Sequence, residues 1–431
     1  MLNPYPTCRQ DNPFCMGGNR SLRICLLSYR SNPFCGGQGV YVRYLSRALV
    51  ELGHHVDVIS GEPYPELDHR VNLIPLPGLN FYGYSRTLDA VRERGIRSFT
   101  DMVEFLSYNT GGFPEPYTFG RRVSAYFRAH IPPYDIVHDN QSLSYGILNI
   151  ARSYPLVGTI HHPITIDLRF ALSQEKGLLK RLLLKRWHSF LGMQIKVARS
   201  LPLIIAVSKS SCEDIIREFG VSSLRIRVVH NGVDLDLFRP LEEIGPRPFS
   251  IISTASADVP LKGLNFLISA LALLRHRFEE VKLVVIGSPR EDGPTHKMIQ
   301  RLHLENSVEF RPGISHEELV KEYARAWVAV VPSLYEGFGL PALEAMACGK
   351  AVVSTTGGAL PEVVGDAGIL VPPADYRAIA GAIERLFLDD RLRQEMGKRA
   401  RKRALESFNW MDAARETVEV YREAIRCHAH S

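Results

Sequence analysis

Residues 328–349, VAVVPSLYEGFGLPALEAMACG, decide how this chain is read. The apolar run 328–331 predicts a buried strand, and a glycine-bearing turn follows it. A helix is expected to open at Leu340, with Pro341 in its first turn, where a missing N–H is no loss, and Gly349 as its left-handed stop. Glu336 stands before the turn and Glu344 early in the helix. Carboxylates at the C-terminal lip of a parallel strand have little reason to be there unless they grip a ligand. Between them Gly337, Phe338, Gly339 and Leu340 can turn backbone N–H groups toward an anion at a helix N-terminus. Acceptors for hydroxyls and donors for phosphate within a few residues suit a nucleotide-sugar.

Working outward, the rhythm of strand and helix continues on both sides. Downstream, 351–354 and 369–371 predict strands and 361–364 a short helix, and the tail from 376 to about 427 is helical in pattern. Upstream, strands are expected at 250–254, 282–286 and 308–310, with helices at 264–275, 296–302 and 316–326. The turn-rich stretch HNGVDLDLFRP, 230–240, separates this half from an earlier one of the same kind. There, strands at 22–28, 55–60, 135–138, 156–160, 203–207 and 227–229 alternate with helices, the first over 40–52. The expected fold class is α/β, with two doubly wound Rossmann-like domains facing each other across a cleft. Residues 1–20 form a loose extension, 21–233 and 234–410 the two domains, and 411–431 a helix crossing back to the first domain.

In open parallel sheets, ligands gather beyond the carboxyl ends of strands. Gly36, Gly37 and Gly39, in CGGQG after the first strand, could let a phosphate or sugar approach the backbone, or could simply make a tight turn. The spacing of a nicotinamide-binding fingerprint is missing there. Asn140 and Gln141 follow the strand at 135–138, and His161 and His162 follow 156–160, so all four are cleft candidates, Asn140, Gln141 and His162 on the acceptor side. Residues 61–130, rich in Pro, Gly and Tyr, carry helical pieces near 85–107 and 120–129 but name no chemistry.

Composition narrows the function classes. The chain has 431 residues, 45% apolar and 23% charged, with a formal net charge of +6, which favours anionic ligands or surfaces. Seven scattered cysteines show no metal-ligand spacing, and their odd number argues against a disulfide framework, so a reducing cytoplasmic setting fits. No apolar run approaches a membrane span or a signal peptide. Basic residues do not interleave with aromatics as a nucleic-acid groove requires. Residues 176–199 hold seven Lys or Arg and no acid, with apolar residues at helical spacing. That pattern fits a helix on an anionic membrane surface, such as the inner face of the cell membrane, or a helix packed on its own domain with a solvated basic face.

With both halves read, the pattern resembles the GT-B glycosyltransferases, and among them the retaining family four (group 1). The glycine loop CGGQG at 35–39, the segment ADVPLKGLNFLISAL at 257–271 and VPSLYEGFGLPALEAMACGKAVVSTTGGALPEVV at 331–364 carry the likeness in family order. The resemblance implies sugar transfer, hexosyl or N-acetylhexosaminyl, from a nucleotide-diphosphate donor, UDP- or GDP-linked, to an acceptor hydroxyl with retained anomeric configuration. It also implies roles. Glu344 holds the ribose, Glu336 the transferred sugar, Lys262 the diphosphate, and residues 310–313 lie by the base. His161 stands near the anomeric carbon. No metal and no cofactor are expected, and Asp234-Leu235-Asp236 sits in the link, where it reads as a structural turn. The family's arginine before the lysine is replaced by Ser256 and Ala257, which leaves Ser256 as a neutral phosphate partner and Arg311 as a substitute cation. A nucleotide-sugar epimerase or a non-catalytic nucleotide-sugar-binding protein would share the fold.

Overall fold

The computed structural model describes residues 20–31, 37–255 and 258–430, the side chain of Tyr82 excepted. Gly36 and Ser256, both proposed donor contacts, lie outside the described residues. Two compact units are present. One comprises the chain through Val207, Ser211–Val229 and the stretch from Met411, the other Ser208–Ser210 and His230–Trp410.

The first unit is built on a seven-stranded sheet of β1 (Arg23–Ser28), β2 (His55–Ser60), β3 (Asn72–Pro75), β4 (Ile136–Asn140), β5 (Leu156–Ile160), β6 (Leu203–Ala206) and β7 (Ile226–Val228). Its order is β3-β2-β1-β4-β5-β6-β7, and every pairing is parallel. Both faces of such a sheet are covered, which is why its strands read as continuous apolar runs. Cys25, Leu27, Val137, Leu156 and Ile204 enter one core with Phe119, Val123 and Val197 from the covering helices. Strand β3 has no signal in the sequence reading. It is four residues long, none of them buried, so its pairing with β2 is decided by the sheet and not by its own pattern. The first helix, Gly37–Glu51, opens three residues earlier than its apolar spacing predicts, so Gly37 and Gly39 belong to its first turn. The helical piece expected at 85–107 is two helices, Thr87–Arg94 and Phe99–Asn109, parted after Gly95 at φ 75°. From Met411 on, the C-terminal helix Trp410–Ala429 belongs to this unit. Its Tyr421 is fully buried, and the Tyr421 hydroxyl lies 2.6 Å from His138 Nδ1.

The second unit carries six parallel strands, β8 (Ser250–Thr254), β9 (Lys282–Ile286), β10 (Val308–Arg311), β11 (Val328–Val331), β12 (Ala351–Thr355) and β13 (Ile369–Val371), in the order β10-β9-β8-β11-β12-β13. Val328 and Val330 enter a core with Leu267, Leu271 and Ile383, so helices Leu264–Arg275 and Tyr376–Leu388 cover that face. Strand order reverses between β1 and β4 in the first unit and between β8 and β11 in the second. These reversals open a crevice at the carboxyl ends of the strands.

Candidate functional site

In the second unit, the loops after β8 and β11 meet at the reversal. The Leu334 amide donates to the Leu261 carbonyl at 2.7 Å, and a side chain at Gly263 (φ 65°) would stand 2.0 Å from the Pro332 carbonyl oxygen. Only glycine permits that approach. It sets Lys262, on the turn Pro260–Lys262, beside Glu336. The lysine Nζ lies 2.8 Å from Glu336 Oε1 and 3.0 Å from Oε2, and Ser333 Oγ donates to Oε1 at 2.7 Å. Glu336 is 8% exposed and so depends on these partners for its charge. Its backbone is clamped as well, since Ala359 N–H donates to the Glu336 carbonyl at 2.9 Å.

The helix Leu340–Ala347 follows from Gly339 at φ 105°, with Pro341 in its first turn and Gly349 at φ 69° just past its end. Phe338 turns inward and is buried, whereas Gly337 and Leu340 are partly exposed at the helix N-terminus. Glu344 accepts a hydrogen bond from the Tyr323 phenol, and burial pushes its carboxyl up to about 8. Tyr323 also meets Thr254 Oγ1 at 2.9 Å. Burial thus favours the protonated Glu344 carboxyl, which can both accept and donate a hydrogen bond. Arg311, at the end of β10, is paired with Glu309 at 2.6 Å, so the substitute cation already has an anion. Asp234 Oδ1 accepts from the amides of Asp236 and Leu237 at 3.2 and 3.1 Å, an Asx turn that serves the link itself.

In the first unit, the carboxyl edge gathers Gly37 and Gly39 after β1, Asn140 and Gln141 after β4, and His161 and His162 after β5. Asn140 and Gln141 are 2% and 1% exposed, and their amides brace His161 instead of facing solvent. Asn140 Nδ2 donates to the Gln38 carbonyl at 3.2 Å, which leaves its Oδ1, 2.7 Å from His161 Nε2, as an acceptor. Gln141 Oε1 accepts from the His161 backbone amide at 2.7 Å, and its Nε2 donates to the His162 carbonyl at 2.8 Å. His161 consequently carries its proton on Nε2, and burial, then His162 and His138 nearby, hold its pKa down to about 3. The ring is a neutral imidazole whose Nδ1 is a hydrogen-bond acceptor. His162 pairs with Asp167 at 2.8 Å.

Three residues that shape these sites escape a sequence reading: Ser333, Tyr323 and Tyr41. Ser333 stands only three residues before Glu336, so a polar residue at the strand end was a local signal. Tyr323 lies on the preceding helix, 21 residues before Glu344, and only folding brings it there. Tyr41 sets its ring edge-on to His161 at 4.9 Å and its hydroxyl 3.0 Å from Thr159 Oγ1.

Residues 246–403 match the family model described as "Glycosyl transferases group 1", and residues 35–237 match "Glycosyltransferase Family 4". The chain is 46% identical over 409 residues to an MMP alpha-(1->4)-mannosyltransferase from Mycolicibacterium hassiacum, a match covering 94% of this chain and 98% of that one. A D-inositol 3-phosphate glycosyltransferase from Streptomyces bingchenggensis is 29% identical, with 95% and 91% covered. Among solved structures, sucrose-phosphate synthase from Thermosynechococcus elongatus superposes with a TM-score of 0.70 at 24% identity, covering 93% of this chain and 98% of that one. Anabaena HepE in complex with UDP gives 0.66 at 18%, with 93% and 100% covered. The fold is GT-B.

Proposed function

The chain belongs to the family 4, group 1 glycosyltransferases, and from that membership we propose that it transfers an α-mannosyl group from a nucleoside-diphosphate mannose to a hydroxyl of a methylmannose polysaccharide or a shorter oligomannoside precursor. One observation carries the choice of sugar and acceptor, the 46% identity to the Mycolicibacterium enzyme along nearly the whole of both chains.

Breaking a sugar–diphosphate bond builds positive charge at the anomeric carbon and negative charge on the leaving phosphate. We assign the second charge to Lys262 and to the N–H groups at the N-terminus of the Leu340–Ala347 helix, with Gly337, Phe338, Gly339 and Leu340 giving close backbone approach. Lys262 rests on Glu336, so donor binding exchanges a carboxylate partner for a phosphate. Glu336 then turns its oxygens to the hydroxyls of the transferred sugar. Glu344, neutral, accepts from one ribose hydroxyl and donates to the other. For the first unit we assign His161 Nδ1 as acceptor for a sugar hydroxyl, with Asn140 holding the ring, Gln141 its backbone, and His162 on the acceptor side. Gly37 and Gly39 keep the opening turn of Gly37–Glu51 narrow. With attack on the face from which phosphate departs, the phosphate oxygen takes the acceptor proton, and no carboxylate nucleophile or metal is required.

Incubation with GDP-mannose and an α-1,4-linked, O-methylated oligomannoside, followed by mass spectrometry and NMR, tests the reading. A product one hexose larger with a new α linkage is expected. An unchanged acceptor, or a donor converted without an acceptor, would overturn it.

A further inference from the structure

The basic segment 176–199 is not one uniform helix. Its second part, Leu191–Ser200, buries Leu191, Met193 and Val197 in the core of the first unit. Its first part, the helix Leu178–Trp187, buries no residue at all. Leu178, Leu179, Leu182 and Leu183 are 74%, 71%, 54% and 50% exposed. At about 100° per residue these four leucines share an arc of roughly 140° that points away from the unit, while Trp187 turns inward onto Phe113 with ring centroids 5.3 Å apart.

A second helix with exposed apolar residues adjoins it. Arg186 Nη2 donates to Thr110 Oγ1 at 2.8 Å, and a side chain at Gly111 would stand 3.6 Å from Leu183, so the end of Phe99–Asn109 abuts the leucine helix. Phe99, Met102 and Leu106, at helical spacing, are 63%, 44% and 55% exposed. Single exposed apolar residues are ordinary, but a patch drawn from two touching helices marks an interaction surface.

Charge selects the partner. Lys176, Lys180 and Lys185 flank the leucine arc and are exposed, and the helix holds no acid. The acids of neighbouring elements are taken. Glu175 accepts from the Gly177 amide at 2.8 Å and lies 3.6 Å from Lys180, while Arg122 holds Asp101 and Glu104. A second copy of this chain would bring like charge against like. A neutral glycan would leave the lysines unmatched. We propose that this two-helix face docks the protein on an anionic bilayer, leucines entering the acyl boundary and lysine amines reaching lipid phosphates. No helix among the described residues is long and apolar enough to cross a membrane, so the contact is peripheral.

The test is flotation of the full chain with vesicles of phosphatidylcholine alone or with about one-third phosphatidylglycerol, at low and high salt. Binding at least tenfold stronger to the anionic vesicles, lost at high salt and reduced at least tenfold in Leu179→Ser/Leu182→Ser, is the expected result. The variant should keep its melting temperature and its mannosyl transfer to a soluble acceptor. Equal or absent binding to the two vesicles overturns the proposal. So does light scattering that shows a wild-type dimer and a monomeric variant, which would assign the face to self-association, or a loss of soluble-acceptor turnover in the variant, which would assign it to the glycan.

Discussion

The Nζ of Lys262 touches both carboxylate oxygens of Glu336, at 2.8 and 3.0 Å, across the reversal of the second sheet. The pair unites the residues proposed to receive the diphosphate and the sugar, and it gives the buried Glu336 carboxylate a counter-charge. Replacing Lys262 with Met should lower kcat by about 100-fold or more, the scale of losing one transition-state charge partner. It should also cost about 1–3 kcal/mol of stability by leaving Glu336 on Ser333 alone. The double variant Lys262→Met/Glu336→Gln should recover much of that stability in chemical denaturation but none of the activity.

Tyr323 is expected to act through Glu344. Tyr323→Phe removes the phenol that donates to the carboxyl, an effect of about 0.5–1.5 kcal/mol. Calorimetric titration with GDP should show a roughly 2–10-fold weaker Kd in that variant, converted from the same energy, and a larger loss in Glu344→Ala.

Glu344 also sets a pH dependence. Its carboxyl is raised to about 8 in the folded chain, so between the unfolded value near 4.5 and pH 8 the folded state binds the extra proton, and stability falls as pH rises through that window. Glu115, raised to about 7 by burial, acts in the same direction. His161, held down to about 3, works oppositely, stability being lost as pH falls below about 6.5. Glu344→Gln should flatten the decline in melting temperature between pH 6 and 8.5 and leave the acid limb unchanged.

Asn140 fixes the tautomer of His161 through the 2.7 Å contact at Nε2. In Asn140→Ala, with that acceptor gone, kcat should fall roughly tenfold, as expected for a loosened general or polar contact, with the donor KM nearly unchanged. Equal losses in KM and kcat would place Asn140 in binding instead.

Because Lys262 is assigned the charge work at the diphosphate, transfer should persist after dialysis against EDTA. Initial rates with and without added Mg²⁺ or Mn²⁺ check this, and a return of activity only with metal would contradict the assignment.

Much was legible in the sequence because its signals are local. Val328–Val331, Gly339, Pro341 and Gly349 announce a strand, a turn and a capped helix through apolar run, missing N–H and left-handed backbone, each a property of a residue and its neighbours. The same locality put Glu336 and His161 beyond strand ends, Lys262 in the loop after β8 and Glu344 in the helix that follows β11. Tertiary structure alone decided what those groups are chemically. Lys262 meets Glu336 from 74 residues away. Burial raises the Glu344 carboxyl against the opposing hydrogen bond from Tyr323, and His161 has one tautomer because the buried Asn140 amide oxygen accepts from its Nε2. It also divided the basic stretch into a core helix and an exposed one, since both halves carry the same helical apolar spacing. Periodicity shows which residues share a face, whereas desolvation, ionisation and the choice between core and surface depend on what the rest of the chain brings against that face.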